Sequence, residues 1–145
     1  MKARASSVFP VSADYAWPYV RKSGTLLYVT KGLLGFEGSN HFPYEWSEGS
    51  TIRTRLLFFG FIPAWRHELK FEKISDSSRT LYTNEGGGLV PVWNHLIKIE
   101  SISEGSCLYT DDVDVEAGLL TPIVWLYAQA FYRYRQWRWR ALLKR

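Results

Sequence analysis

The sequence has 145 residues, of which 46% are hydrophobic, 17% aromatic and 22% charged, with a formal net charge of +4. This length suits one domain over residues 1–145, and this apolar content excludes a disordered chain. The single cysteine, Cys107, excludes an internal disulfide and a cysteine-based metal cluster. Because no signal-peptide-like stretch and no run of about 20 apolar residues occurs, we expect a cytoplasmic protein without a transmembrane segment.

The first third of the chain is predicted to contain a strand and two short helices. Residues 5–9 form a β-like run that ends at a proline, and Ser12 follows as a candidate helix N-cap. Pro18 is expected to bend or shorten this first helix. The side chains spaced for its inward face are Ala13, Ala16, Trp17 and Val20. A second helix is predicted over residues 25–34, and the aromatic, turn-rich residues 35–49 form either a lid over a pocket or a packed loop.

The middle of the chain is predicted to form consecutive antiparallel strands, because its hydrophobic pattern changes to a period of two. Turns rich in Gly, Asp and Ser separate the runs, so strands that follow one another are expected to pair. The predicted strands cover residues 51–59, 65–74, 80–85, 92–101 and 107–116.

The last stretch, residues 121–145, is predicted to form one long helix, with Thr121 as N-cap and Pro122 at the first helical position. At 100° per residue, one apolar face would contain Ile123, Val124, Tyr127, Phe131, Tyr134, Ala141 and Leu142. From Ala117 onward the chain has six basic residues and no acidic one. Cations suit the C-terminal turns of a helix, so we expect this basic side to lie in solvent.

Two of the strands repeat the pattern Trp-x-His, as Trp65 with His67 and Trp93 with His95. A spacing of two places each Trp and His on the same face of its strand. With one strand between them, the two histidines are expected about 10 Å apart, which disfavours a shared metal ion. Each histidine is therefore either a general acid or base, or a polar group satisfied within an aromatic wall.

The remaining candidate site residues are charged or aromatic. Arg53 and Arg55 share one face of their strand, where they either contact an anionic or carbonyl group of a ligand or lie in solvent. Asp111 shares a face with Tyr109 and is the carboxylate that we expect inward or at the rim. The full predicted ligand-binding set is Arg53, Arg55, Trp65, His67, Tyr82, Trp93, His95, Tyr109, Asp111, Tyr127, Phe131 and Tyr134.

The alternating Arg and Trp side chains of residues 135–140 suggest a different function, that of an interaction module. Cations bind phosphates, and Trp stacks on bases or lies at membrane interfaces. However, the chain has no basic stretch outside this helix, so nucleic acid is not the expected partner.

Several short segments occur in a characteristic order along nearly the whole chain. They are Phe9-Pro10-Val11-Ser12-Ala13-Asp14, Phe59-Gly60-Phe61-Ile62-Pro63, Trp65-Arg66-His67, Trp93-Asn94-His95, Asp111-Asp112-Val113, Gly118-Leu119-Leu120-Thr121-Pro122 and Tyr132-Arg133-Tyr134-Arg135. In this order they resemble the START-like, or SRPBCC, superfamily, which includes Bet v 1-like allergens and polyketide cyclases.

The resemblance implies an α+β helix-grip fold, in which a curved antiparallel sheet wraps around a long C-terminal helix and short helices follow the first strand. It also implies that a hydrophobic small molecule, such as a lipid, polyketide or aromatic compound, binds in a cavity between sheet and helix, with no cofactor. The enzymatic alternative is a metal-free cyclase or dehydratase that uses His67 or His95. The superfamily shares no catalytic motif, so no catalytic residue is carried over, and monomer and homodimer both stay open.

Overall fold

The computed structural model describes residues 1–144. The strands are β1 (Lys2–Phe9), β2 (Leu34–Phe36), β3 (Thr51–Phe58), β4 (Ile62–Ser75), β5 (Thr80–Gly86), β6 (Val92–Ser103) and β7 (Ser106–Glu116). The helices are α1 (Ala13–Val20), α2 (Ser23–Thr30) and α3 (Thr121–Leu143), with short 3-10 turns at Ser39–His41 and Gly118–Leu120.

The strands form one antiparallel sheet in the order β1-β7-β6-β5-β4-β3-β2, curled into a half-barrel around α3. Every strand from β3 to β7 pairs with its neighbour in sequence, as short turns require. β1 closes one edge by pairing with β7, so the two ends of the described chain meet there. The predicted helix-grip architecture is confirmed.

The N-terminal helix follows the prediction closely. The Ser12 side chain accepts a hydrogen bond from the Tyr15 amide at 3.1 Å, and all four residues predicted to face inward are buried. Pro18 lies within α1, which ends two residues later.

The second helix is shorter than predicted. It ends at Thr30, and Leu34 instead begins β2, a three-residue edge strand that pairs with β3. So short a strand has no readable period, which is why the sequence gave no sign of it.

The prediction for α3 is correct in extent and wrong in orientation. The helix has 23 residues, and its N-cap is Leu120, while the Thr121 hydroxyl bonds the Gly118 carbonyl and the Ala117 amide. Its buried residues are Ala128, Phe131, Tyr132, Arg135, Gln136, Trp139 and Leu143. Ile123, on the predicted apolar face, is 66% exposed. The true inward face contains an arginine and a glutamine, so a hydrophobicity plot selects the neighbouring face.

Among residues 1–144, no helix is both long enough and apolar enough to cross a membrane.

Candidate functional site

A cavity of about 120 Å³ lies between the concave face of the sheet and α3. Strands β2 to β6 and all three helices contribute side chains to its wall. This space exceeds the roughly 10–15 Å³ that one water molecule needs, so it is large enough for a small ligand. Its apolar wall includes Leu34, Phe36, Leu56, Leu69, Phe71 and Ile97.

The loop between β2 and β3 forms part of this wall. Trp46 is 4% exposed, lines the cavity and stacks on Phe71 with ring centroids 4.6 Å apart. Phe42 packs against both Trp46 and Phe36. Of the two alternatives left open by the sequence, the packed loop describes this segment.

His67 on β4 and Glu85 on β5 form the first buried polar pair of the cavity. Their Nε2 and Oε1 atoms are 3.0 Å apart, and the Thr83 hydroxyl donates to the other carboxylate oxygen. Burial by itself raises the pKa of Glu85, but the hydrogen bond and charge of His67 outweigh it and lower that pKa below its usual value. Glu85 is therefore ionised and held by its neighbours at neutral pH.

His95 on β6 and Asp111 on β7 form the second pair, with Nε2 and Oδ1 2.7 Å apart. The Tyr109 hydroxyl donates to the same oxygen at 3.0 Å, and the Gln136 amide of α3 donates to Oδ2 at 3.1 Å. Burial raises the pKa of Asp111, but hydrogen bonds from His95 and Gln136 and the charge of Arg135 lower it overall. Asp111 thus ties the sheet to α3 through an ionised carboxylate.

Solved structures of known proteins share this architecture. A START superfamily protein from Mycobacterium smegmatis is 13% identical, with a TM-score of 0.74 over 99% of this chain and 97% of that one. Norcoclaurine synthase from Thalictrum flavum, in complex with dopamine and hydroxybenzaldehyde, is 13% identical, with a TM-score of 0.66 over 99% and 87%. The chain has the START-like fold. A protein of the dynemicin biosynthetic locus matches at 14% identity and a TM-score of 0.65, over 99% and 47%.

No family model and no curated protein matches the sequence itself. The START-like fold predicted from the short sequence segments is therefore confirmed by three-dimensional comparison alone. Within residues 1–144, no three His, Cys, Asp or Glu side chains are grouped so that they would hold a metal ion.

The START-like fold brings five of the predicted ligand-binding residues to the cavity wall: His67, Trp93, His95, Tyr127 and Phe131. Tyr109 and Asp111 are buried directly behind His95 and contact it through the Asp111 carboxylate. Trp65 lies beside the cavity, where its ring meets Phe58 edge to face.

The other four predicted residues lie outside the cavity. Arg53 and Arg55 are paired with Glu68 and Glu37 on the exposed side of β3. Tyr82 is on the outer face of β5, because its neighbours Leu81 and Thr83 face inward. Tyr134 donates a hydrogen bond to the Lys31 carbonyl next to α2.

Arg135 is the cavity residue that sequence reasoning placed in solvent. It is 6% exposed and lines the cavity, and its guanidinium carbon lies 5.1 Å from the ring centre of Tyr132 and 6.0 Å from that of Phe131. Burial lowers the pKa of Arg135, but the negative charges of Asp111 and Glu85 raise it overall, so the side chain stays a cation.

Three further residues were missed. Thr83 and Glu85 line the cavity from β5, and Gln136 bonds Asp111 from α3. Alternation from Leu81 would have placed Thr83 and Glu85 inward, but a charged side chain argued against that face. For Gln136 and Arg135 the sequence carried no such signal, since both interrupt the apolar stripe of a helix.

Proposed function

We propose that the chain binds an apolar, ring-containing small molecule in the cavity between the sheet and α3. The observation that carries this proposal is an enclosed space whose wall is formed largely by aromatic and aliphatic side chains from both layers. The START-like neighbour norcoclaurine synthase, in complex with two aromatic molecules, supports a ring-containing ligand. Lipids and polyketides are the other ligand classes that suit such a wall.

Filling the cavity should abolish binding of an apolar probe. Leu56 is 7% exposed and faces the cavity from β3, so Leu56→Trp would place an indole in the space available to the ligand. We expect wild type to bind N-phenyl-1-naphthylamine with increased dye fluorescence, and Leu56→Trp to bind it about tenfold more weakly or worse.

The matched control is Ile102→Trp, at a 56% exposed position of β6 that does not line the cavity. It adds the same ring and should leave dye affinity unchanged. A wild-type chain that does not bind the dye, or a Leu56→Trp variant that binds it equally well, would contradict the proposal.

A second candidate function is proton transfer to or from a carbonyl compound, as in cyclases and dehydratases. The observation in its favour is that both cavity histidines are bonded through Nε2 to a buried carboxylate. Such a pair fixes the ring and stabilises its protonated form, which is what a general acid or base requires. The Nδ1 atom of His67 has no hydrogen-bond partner among the described residues.

Exchange of the α-protons of 2-acetonaphthone in D₂O, followed by proton NMR, tests this candidate. If His67 or His95 is the base, we expect wild type to accelerate exchange and either His67→Gln or His95→Gln to lose about 100-fold of the acceleration. His41→Gln is the control, because His41 is exposed. The decisive variant must still bind the naphthylamine dye; equal exchange rates in all four proteins would exclude the candidate.

The interaction-module alternative has no comparable support. Of the Arg and Trp residues in the run 135–140, Arg135 and Trp139 are buried, and Arg138 lies over the Tyr28 ring with its guanidinium carbon 4.2 Å from the ring centre. The run is therefore divided between the interior and the surface, and does not form one exposed basic and aromatic strip.

A further inference from the structure

The cavity contains a buried cation that no acceptor satisfies. Among residues 1–144, Arg135 forms no ion pair and no hydrogen bond, and its Nε atom is fully buried without a partner. The rings of Phe131 and Tyr132 contact the guanidinium through their faces, but a ring face accepts none of the planar N–H bonds in the normal geometry. A buried guanidinium with unused donors is costly, so a partner from outside the chain is expected.

The acids near Arg135 cannot take this role without releasing other partners. The two Glu85 oxygens are bonded to His67 and Thr83. The Asp111 oxygens are bonded to His95 and Tyr109 on one side and to Gln136 on the other. Both carboxylates therefore favour the charge of Arg135 from a distance while leaving its N–H groups free to bind a ligand.

We propose that the ligand of this cavity carries a carboxylate, which binds the Arg135 guanidinium while its apolar body packs against the aromatic wall. This inference rests on the proposed function. A carboxylate is planar and accepts two parallel hydrogen bonds from a guanidinium, so it matches the unused donors in number and shape. The histidines beside Glu85 and Asp111 offset the negative charge of those side chains when protonated, which reduces repulsion of the incoming anion.

The test compares a matched pair of ligands, 2-naphthoate and its methyl ester, as competitors of the naphthylamine dye. Both present the same ring, but only the acid is an anion at pH 7. We expect the acid to displace the dye from wild type at a concentration about tenfold lower than the ester. In Arg135→Met this advantage should disappear, because the acid loses its partner while the ester keeps its apolar contacts.

Two further variants control for charge and for folding. Arg133→Met removes an exposed arginine two residues away in α3 and should preserve the preference for the acid. Arg135→Lys keeps the charge without the planar fork and should preserve only part of it. Circular dichroism of each variant shows whether the fold is intact.

The possible failures are distinguishable. If the dye does not bind wild type, the proposed function fails. If the dye binds and the two competitors are equally effective, or neither displaces it, this inference alone is overturned. An acid preference that survives in a folded Arg135→Met variant overturns it as well.

Discussion

Replacing Asp111 with alanine should lower the free energy of unfolding by about 3–5 kcal/mol, because the change leaves several buried donors without an acceptor. His95, Tyr109 and Gln136 all hydrogen-bond to this carboxylate, and Asp111 itself is 1% exposed. Urea denaturation followed by circular dichroism measures the loss. The effect should exceed that of any single surface substitution, which rarely passes about 0.5 kcal/mol.

The control for this prediction is Asp112→Ala, since Asp112 alternates to the other face of the same strand and is half-exposed. The loss in Asp111→Ala should also depend on pH. Because the folded-state pKa of Asp111 lies below its ordinary value of 3.8, its contribution is complete above that pH and disappears as the pH falls through the lower folded value. A stability difference that is small at pH 7, or that grows with acid, would contradict this account.

Replacing Trp139 with alanine should destabilise the fold by about 3–5 kcal/mol, the usual cost of emptying a buried aromatic site. Trp139 is 1% exposed, and its ring centre lies 5.1 Å from that of Tyr109 and 6.0 Å from that of Phe9. It therefore joins α3 to strands at the closed edge of the sheet. Chemical denaturation followed by far-ultraviolet circular dichroism is the suitable measurement, since tryptophan fluorescence changes with the substitution itself.

Trp137→Ala provides a matched comparison within the same helix. Trp137 is 61% exposed and contacts the Tyr134 ring at the surface, so its loss should cost less than about 1 kcal/mol. The pair also tests which face of α3 is buried. If the helix presented the face around Ile123 and Tyr127, as its hydrophobic pattern predicts, Trp139→Ala would cost no more than Trp137→Ala.

The polar groups of the cavity are not what a stable core requires. Buried ionic groups rarely stabilise a protein more than well-packed apolar side chains of similar size. Here two histidine–carboxylate pairs and the unpartnered Arg135 occupy the interior of a small domain. Natural sequences depart from stable packing mainly at functional sites, which agrees with a cavity that binds or transforms a polar-ended ligand.

Much of the architecture was accessible from the sequence because it depends on local rules. The Ser12 cap fixed the start of α1, and a period of two placed His67, His95 and Asp111 on inward faces of their strands. The order of the strands followed from their short turns. These features need only the chemistry of neighbouring residues, so the alternation that predicted them is found in the structure.

The sequence by itself therefore determined the elements, their order and the inward histidines, whereas only the tertiary structure decided which polar side chains join them. His67 meets Glu85 across two strands, and Asp111 meets Gln136 from a helix 25 residues further along the chain. Whether Arg135 or Gln136 is buried depends on such distant partners and on the cavity, and a hydrophobicity pattern contains neither. The physical reason is that a polar side chain is tolerated inside a protein according to what it contacts there, and those contacts exist only once the sheet has closed around α3.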